Sequence, residues 1–410
     1  MKPIVVVGAG AAGVVAALFA RRAGRDVVLV ERTSDGGRKI LISGGGRCNL
    51  LPARSDPARY VTASSVHSLR NILRSWPLAD QRTFFERELA MRLVLEPETG
   101  KLFPETHRAR DVRDRLMKAA RDAGTKLWFG SQVTDIRPMP ADSAWAVHIK
   151  DAPRLEASSV VLATGGLSVP KTGSDGIGLA IARRLGHSIN PTYPALTPLT
   201  ATPTMHAHLA GVSLHVTITA PGARPRFTTT GGFLFTHRGY SGPAVLDASH
   251  LATRDAAGGT RQPLLVQWTL LDGPAWDETL RHGRGSVARI VALHLPVRLA
   301  EQLVAEAGLL PDQRMATLDR ASRRKLVSLL TAYPLLYTGD EGFKKAEVTG
   351  GGVDLGDIDP TTMESRRCPG LYLGGEMLDA FGPIGGHNFV WAFATGRAAG
   401  LGAARSGTVS

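Results

Sequence analysis

Cysteine is nearly missing from this sequence: Cys48 and Cys368 are the two in 410 residues. That gives no disulfide framework and no cysteine-rich metal cluster, and no metal is expected. Aromatic residues make up 6%, and no RNP-like or other familiar RNA-binding module is present. Any nucleic-acid contact would therefore rest on charge and shape. No apolar run approaches the ~18 residues of a membrane span. The apolar, alanine-rich N-terminus could be misread as a secretory signal. Glycines at fingerprint spacing, with Arg21-Arg22 close behind, argue against one, and the chain is read as soluble and cytoplasmic. Internal repeats and low-complexity tracts are also missing.

Basic charge is plentiful. The formal net charge is +13 and the pI is near 10.2. Residues 38–126 hold 18 Lys and Arg against 10 Asp and Glu. A basic region of this kind fits a polyanionic partner such as nucleic acid. However, 39 of the 49 basic residues are arginine, and arginine-rich usage can be a proteome-wide habit. Charge alone leaves both readings open.

The clearest pattern is Ile4-Val5-Val6-Val7-Gly8-Ala9-Gly10-Ala11-Ala12-Gly13. Four β-prone apolar residues read as a buried parallel strand, and Gly-x-Gly-x-x-Gly then opens a helix. Gly8 serves the tight turn, Gly10 the approach of a pyrophosphate, and Gly13 close helix–strand packing. The helix N-terminus, at Ala11 and Ala12, offers unpaired N–H groups to phosphate. A second strand, Asp26 to Val30, ends at Glu31, which is placed to accept from ribose hydroxyls and would repel a 2′-phosphate. Strand, fingerprint, helix, strand and acid in register make a dinucleotide site.

Residues 36–49, GGRKILISGGGRCN, read as a long glycine-rich loop running along the rest of that dinucleotide. Arg38, Lys39 and Arg47, with Arg32 before them, can neutralise phosphates. Ser43 and Asn49 can hydrogen-bond ribitol hydroxyls or a ring edge, and Gly44, Gly45 and Cys48 lie in the same stretch.

This segment resembles the BaiN/RdsA family of bacterial FAD-dependent oxidoreductases, which comprises aminoacetone-oxidase-like flavoproteins, bile-acid enzymes and a ribosomal RNA dihydrouridine synthase branch. Further stretches carry the likeness: Leu102-Phe103-Pro104, Ala163 to Ser174, Pro194 to Leu199, Leu234 to His237 with Ser241 to Ala244, and Gly342 to Val348. The resemblance implies an α/β protein with a Rossmann-like, glutathione-reductase-like FAD domain at 1–191 and 342–410. A β-rich, antiparallel or barrel-like insertion is expected at 192–275 and a helical subdomain at 276–341. It implies one tightly held FAD. The adenine would meet the backbone of Val133, and the pyrophosphate a second turn, Ala163-Thr164-Gly165-Gly166. Gly375-Glu376 would meet the ribitol, and the turn Gly385-Gly386-His387-Asn388 the flavin N1–C2=O edge. The family more often has tyrosine where His387 stands.

Three functions are carried forward. The first is an NADH-using reductase that converts uridine of 23S ribosomal RNA to dihydrouridine, with Cys48 or His387 near the flavin as proton donor. For Cys48 the competing role is packing, and for His387 it is orienting the flavin. RNA would meet Arg110, Arg113 and Arg121 on a helix from Ala109 to Ala123, with a second cluster at Arg323 and Arg324. His237 would line the substrate mouth. The second function is a small-molecule flavoenzyme, either an amine oxidase or a steroid-like enoyl reductase. The third is a non-catalytic FAD-binding redox sensor.

Overall fold

Ile4–Val7 is buried along its whole length and forms the centre of a five-stranded parallel sheet. The strand order is Leu371–Leu373, Ser159–Leu162, Ile4–Val7, Val27–Val30, Lys126–Trp128. Continuous Val/Ile/Leu runs suit such a sheet because both faces are covered. One cover is the helix Ala11–Arg22, which crosses from the first strand to its neighbour. Against it lies the C-terminal helix His387–Arg405. Cβ atoms at Gly396 and Gly400 would lie 2.3 and 2.2 Å from the carbonyl oxygens of Ala12 and Ala16. Small residues four apart on both helices let their backbones touch.

The computed structural model describes residues 2–139, 144–254, 262–310 and 312–406. The chain forms two compact units, Met1–Tyr193 with Glu347–Ser410, and Pro194–Ala346. The first is the Rossmann-like domain. It also carries a three-stranded meander, Val133–Met139, Ala144–Ile149 and Leu155–Ala157. A second small sheet pairs Leu51–Pro52 and Leu93–Glu96 with Lys101–Pro104. Among the described residues no helix is long and apolar enough to cross a membrane.

One local expectation needs correction in this unit. Residues 38–46 are not a loop: Arg38–Ile42 is a short helix followed by the tight turn Ser43–Gly46. Ile40, 2% exposed, anchors the helix in the core. Leu78–Thr83 is α-helical and then widens into a π-turn over Phe84–Glu88, where the adjacent rings of Phe84 and Phe85 are both buried.

The second unit is built on a seven-stranded antiparallel sheet. Its order is Tyr333–Pro334, Leu265–Gln267, Ser213–Ala220, Phe227–Thr236, Gly239–Ser241, Leu199–Thr200, Gly339–Asp340. Among the described residues the two end strands do not pair with each other, so the sheet is open. The strand Phe227–Thr236 runs unbroken through two glycines. Gly231 and Gly232 leave room for the helix Pro243–Ala248, since Cβ atoms there would come within 3.4 and 3.3 Å of Pro243. The helices Gly273–His282, Val297–Glu306 and Arg320–Thr331 share one hydrophobic cluster with the sheet, centred on Phe233, Phe235, Trp268, Leu303 and Leu326.

Candidate cofactor and active site

The fingerprint glycines divide their work as their spacing implies. Gly8 takes φ +101°, and a Cβ on it would lie 2.5 Å from the carbonyl oxygen of Ala163. A Cβ on Gly13 would lie 1.9 Å from the carbonyl oxygen of Gly8. At Gly10 a Cβ would meet nothing within 4 Å, so this position faces open space at the start of the helix. The amides and the positive end of the helix therefore face open space.

Glu31, 8% exposed, lies beside this space. Its Oε2 accepts from the Ala9 amide at 2.8 Å and its Oε1 from the Thr33 amide at 2.7 Å. Each oxygen keeps a lone pair free for a ribose hydroxyl. The Ser131 amide donates to the Glu31 carbonyl at 2.9 Å, so the chain reaches Val133 directly beside this acid.

On the other side, Ala163 follows its strand and donates from its amide to the Val7 carbonyl at 2.9 Å. Thr164 packs on Gly178, and Gly165 turns at φ +75° beside Ser174. Gly166 leaves space for Thr349 and Glu376. Here the structure shows a network that sequence spacing did not reveal. The Lys39 ammonium donates to Ser168 Oγ and to Glu376, and Ser168 Oγ also donates to Glu376. Thr349 Oγ1 accepts the Leu167 and Ser168 amides at 2.7 and 3.1 Å and donates to Glu376 Oε1 at 3.0 Å. Gly375, next to Glu376, approaches the Ala12 side chain on the first helix and takes φ +78°.

The expected phosphate cations are placed differently. Lys39 serves Glu376. Arg38 pairs with Asp35 at 2.7 Å, and Arg32 with Asp175. Arg47 reaches Glu96 at 3.3 Å and lies over the Phe103 ring at 4.3 Å. Each of these four cations thus has a carboxylate partner.

Cys48 is fully buried in the core, at φ +57°. Burial pushes its thiol up to about 12, with the Ser43 hydroxyl pulling the other way. This placement favours packing over proton donation. Ser43 Oγ donates to the Ile40 carbonyl at 2.7 Å, which ties the helix Arg38–Ile42 to the turn after it. Gly44 and Gly45 take φ +54° and +65° there, with Gly44 tight against the Asn49 amide. Asn49 Oδ1 is buried without a hydrogen-bond partner.

His387, 2% exposed, is the first residue of the C-terminal helix, after Gly385 and Gly386 at φ +117° and +90°. Burial pushes its imidazole down to about 4, and Arg59 adds in the same direction. The ring is neutral at pH 7, and its Nδ1 is buried without a partner. Tyr60, another residue missed in the sequence, fixes this turn by donating from its hydroxyl to the His387 carbonyl at 3.0 Å. Asn388, expected at the cofactor, braces the turn instead. Its Oδ1 accepts the Gly382 amide at 2.9 Å and its Nδ2 donates to the Gly382 carbonyl at 3.0 Å.

The arginine helix spans Ala109–Asp122. Arg110 and Arg121 are exposed and have no carboxylate partner among the described residues. Arg113 is corrected: its side chain is 11% exposed, pairs with Asp114 and lies 3.5 Å from Asp35. In the second unit Arg323 is likewise spent, on Asp277 at 2.8 Å, whereas Arg324 is exposed. His237 is exposed in the turn between Phe227–Thr236 and Gly239–Ser241.

These residues fit a flavin dinucleotide. The cradle at Gly10 is open, a buried carboxylate stands beside it, and two buried polar atoms, His387 Nδ1 and Asn49 Oδ1, have no hydrogen-bond partner. Fold and site together define an FAD-dependent oxidoreductase with a Rossmann-like domain. The chain belongs to the HI0933-like family, whose model, the HI0933-like protein Rossmann domain, matches residues 2–402. It is 32% identical over 396 residues to the ribosomal RNA dihydrouridine synthase of Escherichia coli, covering 95% of each chain. It is 30% identical over 423 residues to the 3-dehydro-bile acid delta(4,6)-reductase of Clostridium scindens, covering 98% of this chain and 99% of that one. Among solved structures, 3-ketosteroid-delta4-(5alpha)-dehydrogenase from Rhodococcus jostii is similar with a TM-score of 0.52 at 15% identity, over 98% of this chain and 96% of that chain. At that identity the likeness shows the fold alone.

Proposed function

We propose that this protein reduces a carbonyl-conjugated C=C bond, with uridine of ribosomal RNA as substrate, NADH as electron donor and the cytoplasm as its place of work. The relatives named above as a ribosomal RNA dihydrouridine synthase and a bile-acid reductase support the bond type. FAD, when bound, supplies the hydride. The chain's own groups have separate tasks. The amides from Gly10 to Gly13 hold the pyrophosphate, Glu31 the adenosine ribose, and Glu376, fixed by Lys39 and Ser168, the ribitol. His387 is neutral and orients by hydrogen bonding rather than acting as an imidazolium acid. The dipole of the C-terminal helix favours negative charge at its start.

The observation that carries the RNA substrate is the set of exposed arginines without carboxylate partners in the first unit. Arg54, Arg59, Arg108, Arg110 and Arg121 are all of this kind among the described residues. Such cations bind phosphate and read no sequence.

The test is anaerobic. Holoprotein is mixed with NADH, flavin bleaching is followed, and ribosomal RNA lacking dihydrouridine is added. Reoxidation with dihydrouridine in the product supports the reading. Reduced flavin that ignores RNA but is reoxidised by a small enone favours the second reading, a small-molecule reductase, which the full-length likeness to the bile-acid enzyme supports. Flavin that NADH leaves oxidised would point to the redox sensor.

A further inference from the structure

Lys101 stands directly opposite Glu96 in the antiparallel pair of Leu93–Glu96 with Lys101–Pro104. Opposite charges facing each other across a ladder ordinarily bond. These do not. The Glu96 carboxylate takes Arg47 at 3.3 Å and the Thr99 hydroxyl at 2.6 Å. No carboxylate among the described residues lies within ion-pair distance of the Lys101 ammonium. The side chain runs along Gly385 instead. A Cβ at Gly385 would lie 3.7 Å from Lys101 Cε, 3.9 Å from Lys101 Cγ and 3.9 Å from His387 Cδ2.

The position is rigidly built. Lys101 pairs with Pro52. The backbone of Leu51, the residue before Pro52, presses on Gly386, where a Cβ would come within 2.7 Å of it. The half-buried Lys101 side chain is thus held along the turn that opens the C-terminal helix. Two other groups there are ruled out as the compensating charge or its equivalent. Arg59 is a second cation, and His387 is a neutral ring. Beyond Glu96, which acts on it only through space from outside ion-pair distance, the half-buried Lys101 has no anionic partner among the described residues, and beside this glycine turn it is free to take an electron-rich one.

We infer that Lys101 binds the carbonyl oxygen of the substrate and carries the negative charge that develops there during reduction. This rests on the C=C reduction proposed above and adds the residue that polarises the bond. In that reaction bound reduced FAD would supply a hydride to the β-carbon, and the π electron pair would move to the carbonyl oxygen, where Lys101 would carry the charge. A proton from solvent then adds to the α-carbon and the carbonyl re-forms. The C=C bond is reduced and the flavin oxidised. An ammonium at the oxygen acts only as charge accumulates, as an oxyanion donor does.

The experiment compares Lys101→Gln and Lys101→Arg holoproteins with the unaltered chain. The first readout is independent of turnover: oxidised holoprotein is titrated with 4-chlorophenolate, whose oxyanion mimics the developing charge, and the charge-transfer band is followed. Lys101→Gln should weaken binding about tenfold and Lys101→Arg should largely restore it. The second readout is reoxidation of pre-reduced flavin by 2-cyclohexenone and by ribosomal RNA lacking dihydrouridine. Lys101→Gln should slow it about 100-fold while the flavin reduction potential stays in place. Equal phenolate affinity in the Gln variant overturns the proposal. So does a shift in flavin potential that accounts for the whole rate loss, because Lys101 would then be a flavin contact. If the unaltered chain's reduced flavin ignores both C=C probes, the reduction reading fails, while phenolate binding still judges the charge at Lys101.

Discussion

Gly13 lies so close beneath Gly8 that a Cβ on Gly13 would fall 1.9 Å from the Gly8 carbonyl oxygen. Gly10, three residues earlier, would meet nothing within 4 Å. Two glycines of one motif therefore fail in different ways. Gly13→Ala should destabilise the apoprotein by about 1–3 kcal/mol, because backbone must move. Gly10→Ala should leave apoprotein stability nearly unchanged but weaken FAD binding at least about tenfold, or about 1.4 kcal/mol. Thermal unfolding of apoprotein and FAD titration separate the two.

Glu31 is held by two backbone amides, at 2.8 and 2.7 Å. Glu31→Gln keeps the shape but loses the charge and turns one acceptor into a donor facing an amide. Hydrogen bonds to a charged group contribute about 1.5–3 kcal/mol. The variant should lose about that much stability without FAD and bind FAD more weakly as well. Urea unfolding of apoprotein together with FAD titration checks both.

His387 and His250 are both pushed by burial from 6.5 down to about 4. The unfolded chain takes up these protons below pH 6.5 while the folded chain refuses them until about pH 4. The unfolded state then binds more protons, so stability is full above pH 6.5 and falls as pH drops towards 4. Each histidine contributes at most about 3 kcal/mol to that loss. Urea titrations of apoprotein between pH 7.5 and 4.5 should show the slope, and His387→Gln and His250→Gln should each remove about one proton from it.

What the sequence made legible was local. The strand, Gly8, Gly10, Gly13 and Glu31 lie within one short βαβ span, and the contacts that define the site there, Gly13 on Gly8 and Ala9 on Glu31, stay inside that span. The Lys39–Glu376 pair spans 337 positions, and only folding brings these residues together. Lys39 therefore looked like a free phosphate ligand. Arg113 resembled Arg110 and Arg121 along the helix, but it faces Asp35 rather than solvent, and helical periodicity does not reveal what packs on a face. Residues 38–46 looked too glycine-rich to be ordered; the single buried Ile40 was enough to anchor a helical turn.

Cys48 gives a prediction on the alkaline side. Its thiol is pushed from 9.0 up to about 12 by burial. Below pH 9 its contribution to stability is complete, and it is lost as pH rises from 9 towards 12, where only the unfolded chain ionises. At pH 8 the native thiol should resist a disulfide reagent that labels it readily in urea, because the thiolate is the reactive form. Cys48→Ala should keep turnover within about twofold while losing about 1 kcal/mol of packing. A loss of turnover without loss of bound flavin would restore Cys48 as a proton donor.

The arginine helix offers a comparison within one element. Arg110 and Arg121 are exposed and have no carboxylate partner among the described residues, whereas Arg113 is 11% exposed and paired. If the helix meets RNA, the first two contribute phosphate contacts and the third does not. Arg110→Ala and Arg121→Ala should each weaken binding to ribosomal RNA and reduce the slope of log affinity against log salt by about 1. Arg113→Ala should leave that slope unchanged and instead lower stability by about 1–3 kcal/mol, because Asp114 loses its partner, Asp35 keeps only Arg38 and the packing against Gly37 opens. Binding measured from 50 to 200 mM salt, with unfolding run in parallel, decides the matter. An Arg110→Ala, Arg121→Ala double variant with the original slope would remove this helix from the RNA interface, and the arginine-rich composition would then need no partner to explain it.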